Sequence, residues 1–229
     1  MSLYFWIIVI SFIGPFLLSF DKRVAFYKKW RYIFPAILPI ALAFIVWDDY
    51  FTKNEIWGFT PEHLQGLYLL SLPVEEILFF FVIPYNCVFI YDVLLEYFPT
   101  VRPVKIAKIF AVYFVLSGLI FTTWFLDNWY TSVACSISAI LTIGFYFIYK
   151  VSWFDRFAFT YLVAILPFLI VNGILTGIAT ENPVVWYNEN HIMGFRIITI
   201  PFEDLYYNYA LILPIIGLYE FFMKKYRHI

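Results

Sequence analysis

Residues 72–76 read Leu-Pro-Val-Glu-Glu, and residues 200–204 read Ile-Pro-Phe-Glu-Asp. The two stretches lie 128 positions apart, and residues 36–39 and 164–167, at the same separation, both read Ala-Ile-Leu-Pro. The same shift superposes further identical residues: Thr52 on Thr180, Asn54 on Asn182, His63 on His191, Gly66 on Gly194 and Tyr91 on Tyr219. Apolar matches arise easily by chance in a hydrophobic chain, whereas matched His, Asn, Gly and Glu do not. The sequence therefore predicts an internal duplication.

The composition places both copies in a membrane. Of the 229 residues, 63% are hydrophobic and 14% are charged, whereas a soluble domain has roughly 25% charged residues. A transmembrane helix needs about 20 apolar residues, and we place such helices at 2–20, 32–51, 66–96, 104–126, 129–149, 158–179 and 196–223. We therefore predict an all-α polytopic membrane bundle of about seven transmembrane helices, the first a retained span. Two stretches exceed one span, and prolines predict kinks in them: Pro73, Pro84, Pro201 and Pro214.

The duplication and the number of spans together predict the organisation of the chain. Residues 1–98 form a first three-helix repeat, residues 99–128 a linking transmembrane helix and residues 129–229 a second repeat. Four spans return the chain to its starting side, so the repeats are parallel, with an axis along the membrane normal and a site expected between them. All but two of the 15 Lys and Arg residues, Lys53 and Arg196, fall on the side that holds the C-terminus. This excess predicts an outside N-terminus and a cytoplasmic C-terminus in the cell membrane.

The acidic pairs Glu75–Glu76 and Glu203–Asp204 are the sharpest candidates for a functional site, because ionisable side chains inside a membrane span are costly to insert. We expect each pair to lie two to three helical turns inside its span. A neutral carboxylic acid can donate a proton, so all four residues are candidate catalytic groups. The alternative is a structural role, in which the acids form hydrogen bonds or ion pairs that lock the bundle.

Other polar and aromatic residues are candidates for supporting roles. Asp48 and the amides of Asn86, Asn172 and Asn208 could orient an acid, with helix capping and interhelical hydrogen bonding as alternatives. His63 and His191 occupy matched loop positions just before the acidic segments. Aromatic rings stabilise cations, and the rings that follow the acidic pairs are candidates for contact with a cationic intermediate: Phe79, Phe80, Tyr206 and Tyr207.

These motifs resemble the lycopene cyclase domain, an integral-membrane carotenoid cyclase family of the heterodimeric type. The resemblance is carried by the duplicated Pro-x-Glu-Glu and Pro-x-Glu-Asp elements, by residues 172–177 (Asn-Gly-Ile-Leu-Thr-Gly) and by residues 20–22 (Phe-Asp-Lys). It covers nearly the whole chain and corresponds to the form in which the two halves are fused. The second motif carries Asp204 where the first carries Glu76, so the halves need not be chemically equivalent.

The resemblance implies a lycopene β-cyclase, an isomerase of the intramolecular-lyase class. It would convert the linear ψ-ends of lycopene, or of another linear carotenoid in membrane lipid, to β-ionone rings. Glu75 or Glu203 would be the acid, and Glu76, Asp204 or a water molecule the base. This redox-neutral chemistry requires no cofactor and no metal. The formal charge of −1 argues against a nucleic-acid partner, whereas a homo-oligomer or a complex with other carotenoid enzymes stays open.

Other classes of function remain as alternatives. An intramembrane prenyltransferase would use aspartates to hold Mg²⁺-diphosphate, and residues 48–49 (Asp-Asp) are the one hint of this. A proton-coupled transporter could use the intramembrane carboxylates. A retinal protein needs a lysine well inside a span, and no lysine lies well inside any predicted span; Lys105 and Lys108 lie near the start of the fourth. A purely structural or binding protein is a further alternative.

Overall fold

The computed structural model describes residues 1–225, so Arg227 and the last four residues of the predicted second repeat lie outside the described residues. Within this range there are seven α-helices: α1 (Leu3–Leu18), α2 (Trp30–Lys53), α3 (Val74–Tyr97), α4 (Val104–Trp124), α5 (Trp129–Thr142), α6 (Phe154–Leu175) and α7 (Glu203–Lys225). A π-helical segment, Ile143–Ile148, extends α5. Helices α2, α3, α4, α6 and α7, and α5 together with its π-helical extension, are long and apolar enough to cross a membrane, whereas α1 has only 16 residues. The prediction of an all-α polytopic membrane bundle is confirmed.

The predicted starts of the third and seventh spans, at residues 66 and 196, are wrong. Two short antiparallel ladders precede α3 and α7: β2 (Tyr68–Leu69) with β3 (Leu72–Pro73), and β5 (Arg196–Ile197) with β6 (Ile200–Pro201). Leu70 and Ile198 occupy their turns with φ values of 62° and 60°, a conformation that ends regular helix or strand. Both acidic pairs therefore lie in the first turn of their helices and not two to three turns inside.

The prolines explain where these helices begin. Pro73 and Pro201 end β3 and β6, directly before or within two residues of the helix start, so they do not kink a span as predicted. Proline lacks the N–H that a helix interior needs, and it is tolerated at a helix start for that reason. Pro84 and Pro214 do lie inside α3 and α7. The ladders define what we call the hairpin end of the bundle.

A two-stranded ribbon at the hairpin end joins the two repeats with two-fold symmetry. β1 (Trp57–Phe59) pairs antiparallel with β4 (Val185–Tyr187), so that Gly58 lies opposite Trp186, its own equivalent at the 128-residue shift. A Cβ atom on Gly58 would lie 2.3 Å from the Trp186 ring, which explains the absence of a side chain there. Such a register requires a pseudo-two-fold axis through the centre of the ribbon.

Two reciprocal hydrogen bonds place the same axis at the opposite end of the bundle. The Tyr91 hydroxyl donates to Glu220 Oε1 at 2.5 Å, and the Tyr219 hydroxyl donates to Asp92 Oδ1 at 2.9 Å. Each tyrosine donates to the acid of the other repeat that is equivalent to the acid following it in its own repeat. The axis thus runs along the bundle, with α2 packed on α7 and α6 packed on α3 across it, and with α4 against α5 and α6. The boundaries 1–98, 99–128 and 129–229 stay a prediction.

Candidate active site

A cavity of about 50 Å³ lies on the pseudo-two-fold axis, and the β1–β4 ribbon contributes to its wall. Both repeats line it, in matched pairs: Glu76 with Asp204, Phe79 with Tyr207, and Phe59 with Tyr187. Asp48 adds a third carboxyl group, without an acidic equivalent in the second repeat. The cavity therefore combines three acids with a largely aromatic wall.

The second member of each acidic pair faces this cavity. Glu76 Oε2 accepts a hydrogen bond from the Tyr4 hydroxyl of α1 at 2.6 Å. Asp204 accepts three: from the Tyr130 hydroxyl of α5 at 2.5 Å, from Asn172 Nδ2 of α6 at 2.6 Å and from the Tyr187 hydroxyl of β4 at 3.0 Å. Burial raises the pKa of Tyr187 well above its ordinary value of 10, and Asp204 adds to this effect, so the hydroxyl stays protonated and donates. The two acids are thus equivalent in position but different in hydrogen bonding.

The first member of each pair, Glu75 or Glu203, is the predicted proton donor, and neither lines this cavity. Glu75 Oε1 accepts from the Gln65 backbone amide and the Ser2 hydroxyl, both at 2.7 Å. Glu203 Oε1 accepts from the Met193 backbone amide at 2.5 Å and from the Thr131 hydroxyl. Adjacent residues on a helix point about 100° apart. One acid therefore holds the loop before its helix while the other faces the cavity.

The Asp48–Asp49 pair divides in the same way. Asp49 accepts from Lys53 Nζ at 2.6 Å and from the Ser71 hydroxyl at 2.6 Å, so it links α2 to the turn between β2 and β3. Asp48 is 3% exposed and lines the cavity. Its Oδ1 lies 3.5 Å from the Tyr207 hydroxyl, and its Oδ2 is buried without a hydrogen-bond partner in the described structure. Asp48 is thereby available to a bound ligand.

The structure brings some of the predicted supporting residues to the cavity and not others. Asn172 and Asn208 line it. Asn86 instead donates from Nδ2 to the Ser11 carbonyl oxygen of α1 at 3.0 Å, an interhelical hydrogen bond. His63 and His191 end the short turns Pro61–His63 and Glu189–His191 and do not line the cavity. Their matched positions reflect the repeated loop, in which His63 contacts the Asn182 carbonyl oxygen at 3.0 Å.

The predicted aromatic residues divide by helix face. Phe79 and Tyr207 line the cavity, whereas Phe80 packs against Phe44 with ring centroids 6.2 Å apart. The Tyr206 hydroxyl points to α4 and donates to Ser117 Oγ at 2.8 Å. Sequence reasoning missed several lining residues: Tyr4, Trp57, Phe59, Tyr130, Phe168 and Tyr187. Phe59 and Tyr187 stand at matched positions, a signal that could have found them, whereas Tyr4 and Tyr130 lie 126 apart and escape the 128-residue shift.

Comparison with known proteins agrees with this duplicated architecture. The family model described as lycopene cyclase matches residues 1–94 and 127–222. The chain belongs to the lycopene cyclase family. The two matched segments leave out residues 95–126, which contain α4, and each carries one acidic pair. The family match thus confirms the resemblance and the internal repeat.

Curated relatives match over a shorter stretch of this family member. Three are each described as a bifunctional lycopene cyclase/phytoene synthase. That of Leptosphaeria maculans is 40% identical over 63 residues, that of Gibberella fujikuroi 36% over 64 and that of Aspergillus oryzae 32% over 65. Each match covers 28% of this chain and 10% or 11% of the relative, so the matched part spans about a tenth of these relatives' length. No solved structure matches.

Proposed function

We propose that this chain is a lycopene β-cyclase that converts the linear ψ-ends of lycopene to β-ionone rings, by way of γ-carotene to β-carotene. One observation carries the proposal: three carboxyl groups, Asp48, Glu76 and Asp204, face one aromatic-walled cavity between the repeats. An acid and a base beside a shielded apolar space are what proton-initiated cyclisation of an alkene requires. Membership of the lycopene cyclase family supports the choice of substrate.

The reaction is an isomerisation in which one proton is added and one is removed. A carboxylic acid of the cavity protonates C2 of the terminal C1=C2 double bond and leaves a cation at C1. The π electrons of C5=C6 form the C1–C6 bond, and the positive charge moves to C5. A carboxylate then removes the proton from C6, and the electrons of that C–H bond restore the C5=C6 double bond. The atoms and electrons balance without an oxidant or reductant.

Hydrogen bonding distinguishes the roles of the three acids. Asp204 accepts three hydrogen bonds, a pattern that stabilises an ionised carboxylate and suits the base. Glu76 accepts one bond from Tyr4, and Asp48 Oδ2 accepts none. A proton on the Asp48–Glu76 side of the cavity would therefore be directed at a bound ligand. We assign the acid to this pair and the base to Asp204.

The walls of the cavity suit a carbocation. Trp57, Phe79 and Tyr207 present aromatic rings, and an aromatic face stabilises a desolvated cation by about 2 kcal/mol or more. The β1–β4 ribbon contributes Trp57, Phe59, Val185 and Tyr187 to the wall at the hairpin end. Such a cover keeps water from a cation that it would convert to an alcohol.

We also propose that the hairpin end faces the outside of the cell membrane and that the C-terminus is cytoplasmic. The opposite end of the bundle carries Lys29, paired with Asp92 at 2.7 Å, and Arg102, paired with Asp155. Basic residues accumulate on the cytoplasmic side of membrane proteins. A reporter that is active only in the cytoplasm, fused after residue 229, is expected to be active; an inactive reporter on an abundant protein would reverse the orientation.

Pigment analysis of lycopene-accumulating cells tests the proposed activity. Cells that express the parent chain are expected to contain β-carotene, and cells that express Glu76→Gln are expected to retain lycopene. Glu96→Gln is the matched control, because Glu96 is an exposed acid at the far end of α3 that pairs with Arg23. Unchanged lycopene with an abundant, folded parent chain would contradict the proposal, as would full conversion by Glu76→Gln.

A further inference from the structure

A second cavity, of about 220 Å³, lies mainly between α1, α3 and α6 and borders the cavity of the acids. The two cavities share Phe79, Phe168, Asn172 and Asn208. From this junction the second cavity follows α3 to Ile90 and α6 to Ala164. Ile90 lies 14 residues after Glu76, roughly 21 Å along the helix at 1.5 Å per residue. The second cavity is therefore a long extension that leads from the acids toward the opposite end of the bundle.

The chemistry of this extension suits a hydrocarbon. Its wall is largely apolar, with Ile83, Ile90, Ala164, Pro167 and Val171 among its members. Two donor groups at the wall are already used within the protein: the Ser11 hydroxyl donates to the Ile8 carbonyl oxygen, and Asn86 Nδ2 donates to that of Ser11. A ligand without hydrogen-bonding groups would leave both of these bonds intact.

The other repeat has aromatic rings at the positions that open this extension. The 128-residue shift places Asn172 on Phe44 and Asn208 on Phe80. Phe44 and Phe80 are buried and lie against each other, and Phe44 also contacts Tyr207 at 5.1 Å between ring centroids. Two phenyl rings, on α2 and α3 of the first repeat, thus pack against each other at the positions where the second repeat has two smaller asparagine side chains, on α6 and α7.

We propose that the cavity between α1, α3 and α6 is the channel for the polyene arm of the substrate, while the end that reacts lies among the acids. This inference rests on the proposed cyclase function. Phe44 and Phe80 occupy the positions equivalent to Asn172 and Asn208 and pack against each other, so we expect the equivalent path to be closed and the protein to bind one arm and cyclise one end per visit. The two-ring product then requires the monocyclic product to leave and to bind again in the reverse direction.

Blocking the far end of the channel tests this assignment. Ile90→Trp places an indole in the channel roughly 21 Å from Glu76 along α3, and Leu218→Trp is the matched control at the equivalent position of α7. Both residues are partly buried, and Leu218 does not line the channel. Turnover of lycopene by Ile90→Trp is expected to fall about 100-fold, because displacement of the reacting end is costly. Turnover by Leu218→Trp is expected to stay near that of the parent.

A substrate with a shortened arm separates obstruction from misfolding. An acyclic polyene with the same ψ-end, but with an arm too short to reach Ile90, should be cyclised by Ile90→Trp at the parent's rate. Two results would contradict the assignment of this cavity as the arm channel. One is equal turnover of lycopene by the two tryptophan variants, and the other is loss of turnover of both substrates in Ile90→Trp. A parent that cyclises neither substrate would instead overturn the proposed function, and the channel with it.

The time course of the purified parent tests the one-end consequence. Monocyclic product should appear first in the lipid or detergent phase, and its amount should then decline as bicyclic product forms. Bicyclic product that forms from the earliest times, without a monocyclic intermediate in the lipid or detergent phase, would overturn the assignment of one arm channel.

Discussion

The α3–α6 and α2–α7 interfaces occupy equivalent places in the duplicated bundle, yet they differ at its centre. Asn172 and Asn208 border the cavity beside the first, whereas at the equivalent positions Phe44 and Phe80 pack against each other, and Phe44 contacts Tyr207 of α7 in the second. At the two ends of the axis, by contrast, the repeats still interact symmetrically, through the β1–β4 ribbon and the reciprocal tyrosine–acid bonds. Contacts that hold the frame have thus kept their symmetry, while residues around the cavity have diverged.

The largest effect is expected where the two members of an acidic pair are compared. Asp204→Asn should reduce turnover by about 10²- to 10⁴-fold, the contribution of a positioned acid or base. Glu203→Gln should retain turnover per folded molecule, because Glu203 holds the loop before α7 and does not face the cavity. Turnover per folded protein, measured in detergent, checks these two roles. Equal losses of turnover in both variants would contradict the assignment of Asp204 to catalysis and Glu203 to the loop.

The next largest effect is expected from truncating rings in the two interfaces. Phe44→Ala should lower the free energy of unfolding by about 3–5 kcal/mol, because Phe44 packs against Phe80, Trp47 and Tyr207. Phe168→Ala should cost less, since Phe168 borders both cavities. Denaturant titrations in the same detergent measure both values. A larger loss for Phe168→Ala would contradict the distinction between a filled and an open interface.

A smaller effect on stability is expected from the acids that hold the hairpin end. Glu75→Gln should lower the free energy of unfolding by about 1–3 kcal/mol, because the Gln65 backbone amide and the Ser2 hydroxyl lose their carboxyl acceptor. Glu203→Gln should cost a similar amount for the same reason. Thermal unfolding of the two variants beside Glu96→Gln tests this, and no difference from that control would rule out the structural role.

The smallest effect is expected at the reciprocal bonds of the opposite end. Tyr91→Phe and Tyr219→Phe should each cost about 1–2 kcal/mol, the contribution of one hydrogen bond to an acid. Because the two bonds are related by the pseudo-two-fold axis, the costs should be similar and turnover should not change. Denaturation midpoints of the two single variants decide this. A marked inequality would show that the symmetry does not extend to the energetics.

The sequence predicted the features that repeat locally or at a constant shift. Apolar runs gave six of the spans, and the matched Glu75 and Glu203 located the hairpin end. The turns at Leu70 and Ile198 were not predictable, because the apolar residues around them continue the composition of a span while the backbone turns back. Pro73 and Pro201 did mark these breaks in the sequence, but we predicted helix kinks at them, whereas in the structure they end strands β3 and β6.

The composition of the cavity was only partly predictable. Glu75 and Glu76 are adjacent, so which one faces the axis depends on the helix rotation, and that is set by contacts with α1 and the hairpin. Trp57 and Tyr187 reach the cavity because β1 pairs with β4 across more than a hundred residues. Such long-range pairing leaves no periodic signal in the local sequence.

Isotope incorporation tests the central claim most directly, namely that an acid in the shared cavity adds a proton and a separate base removes one. The purified protein in detergent and D₂O is given lycopene, and the product is examined for mass and for the position of the label. We expect one deuterium per ring, at C2, because Asp48 or Glu76 exchanges with solvent and Asp204 receives the C6 proton. Rings without deuterium would contradict it, since the same proton would then have moved from C6 to C2.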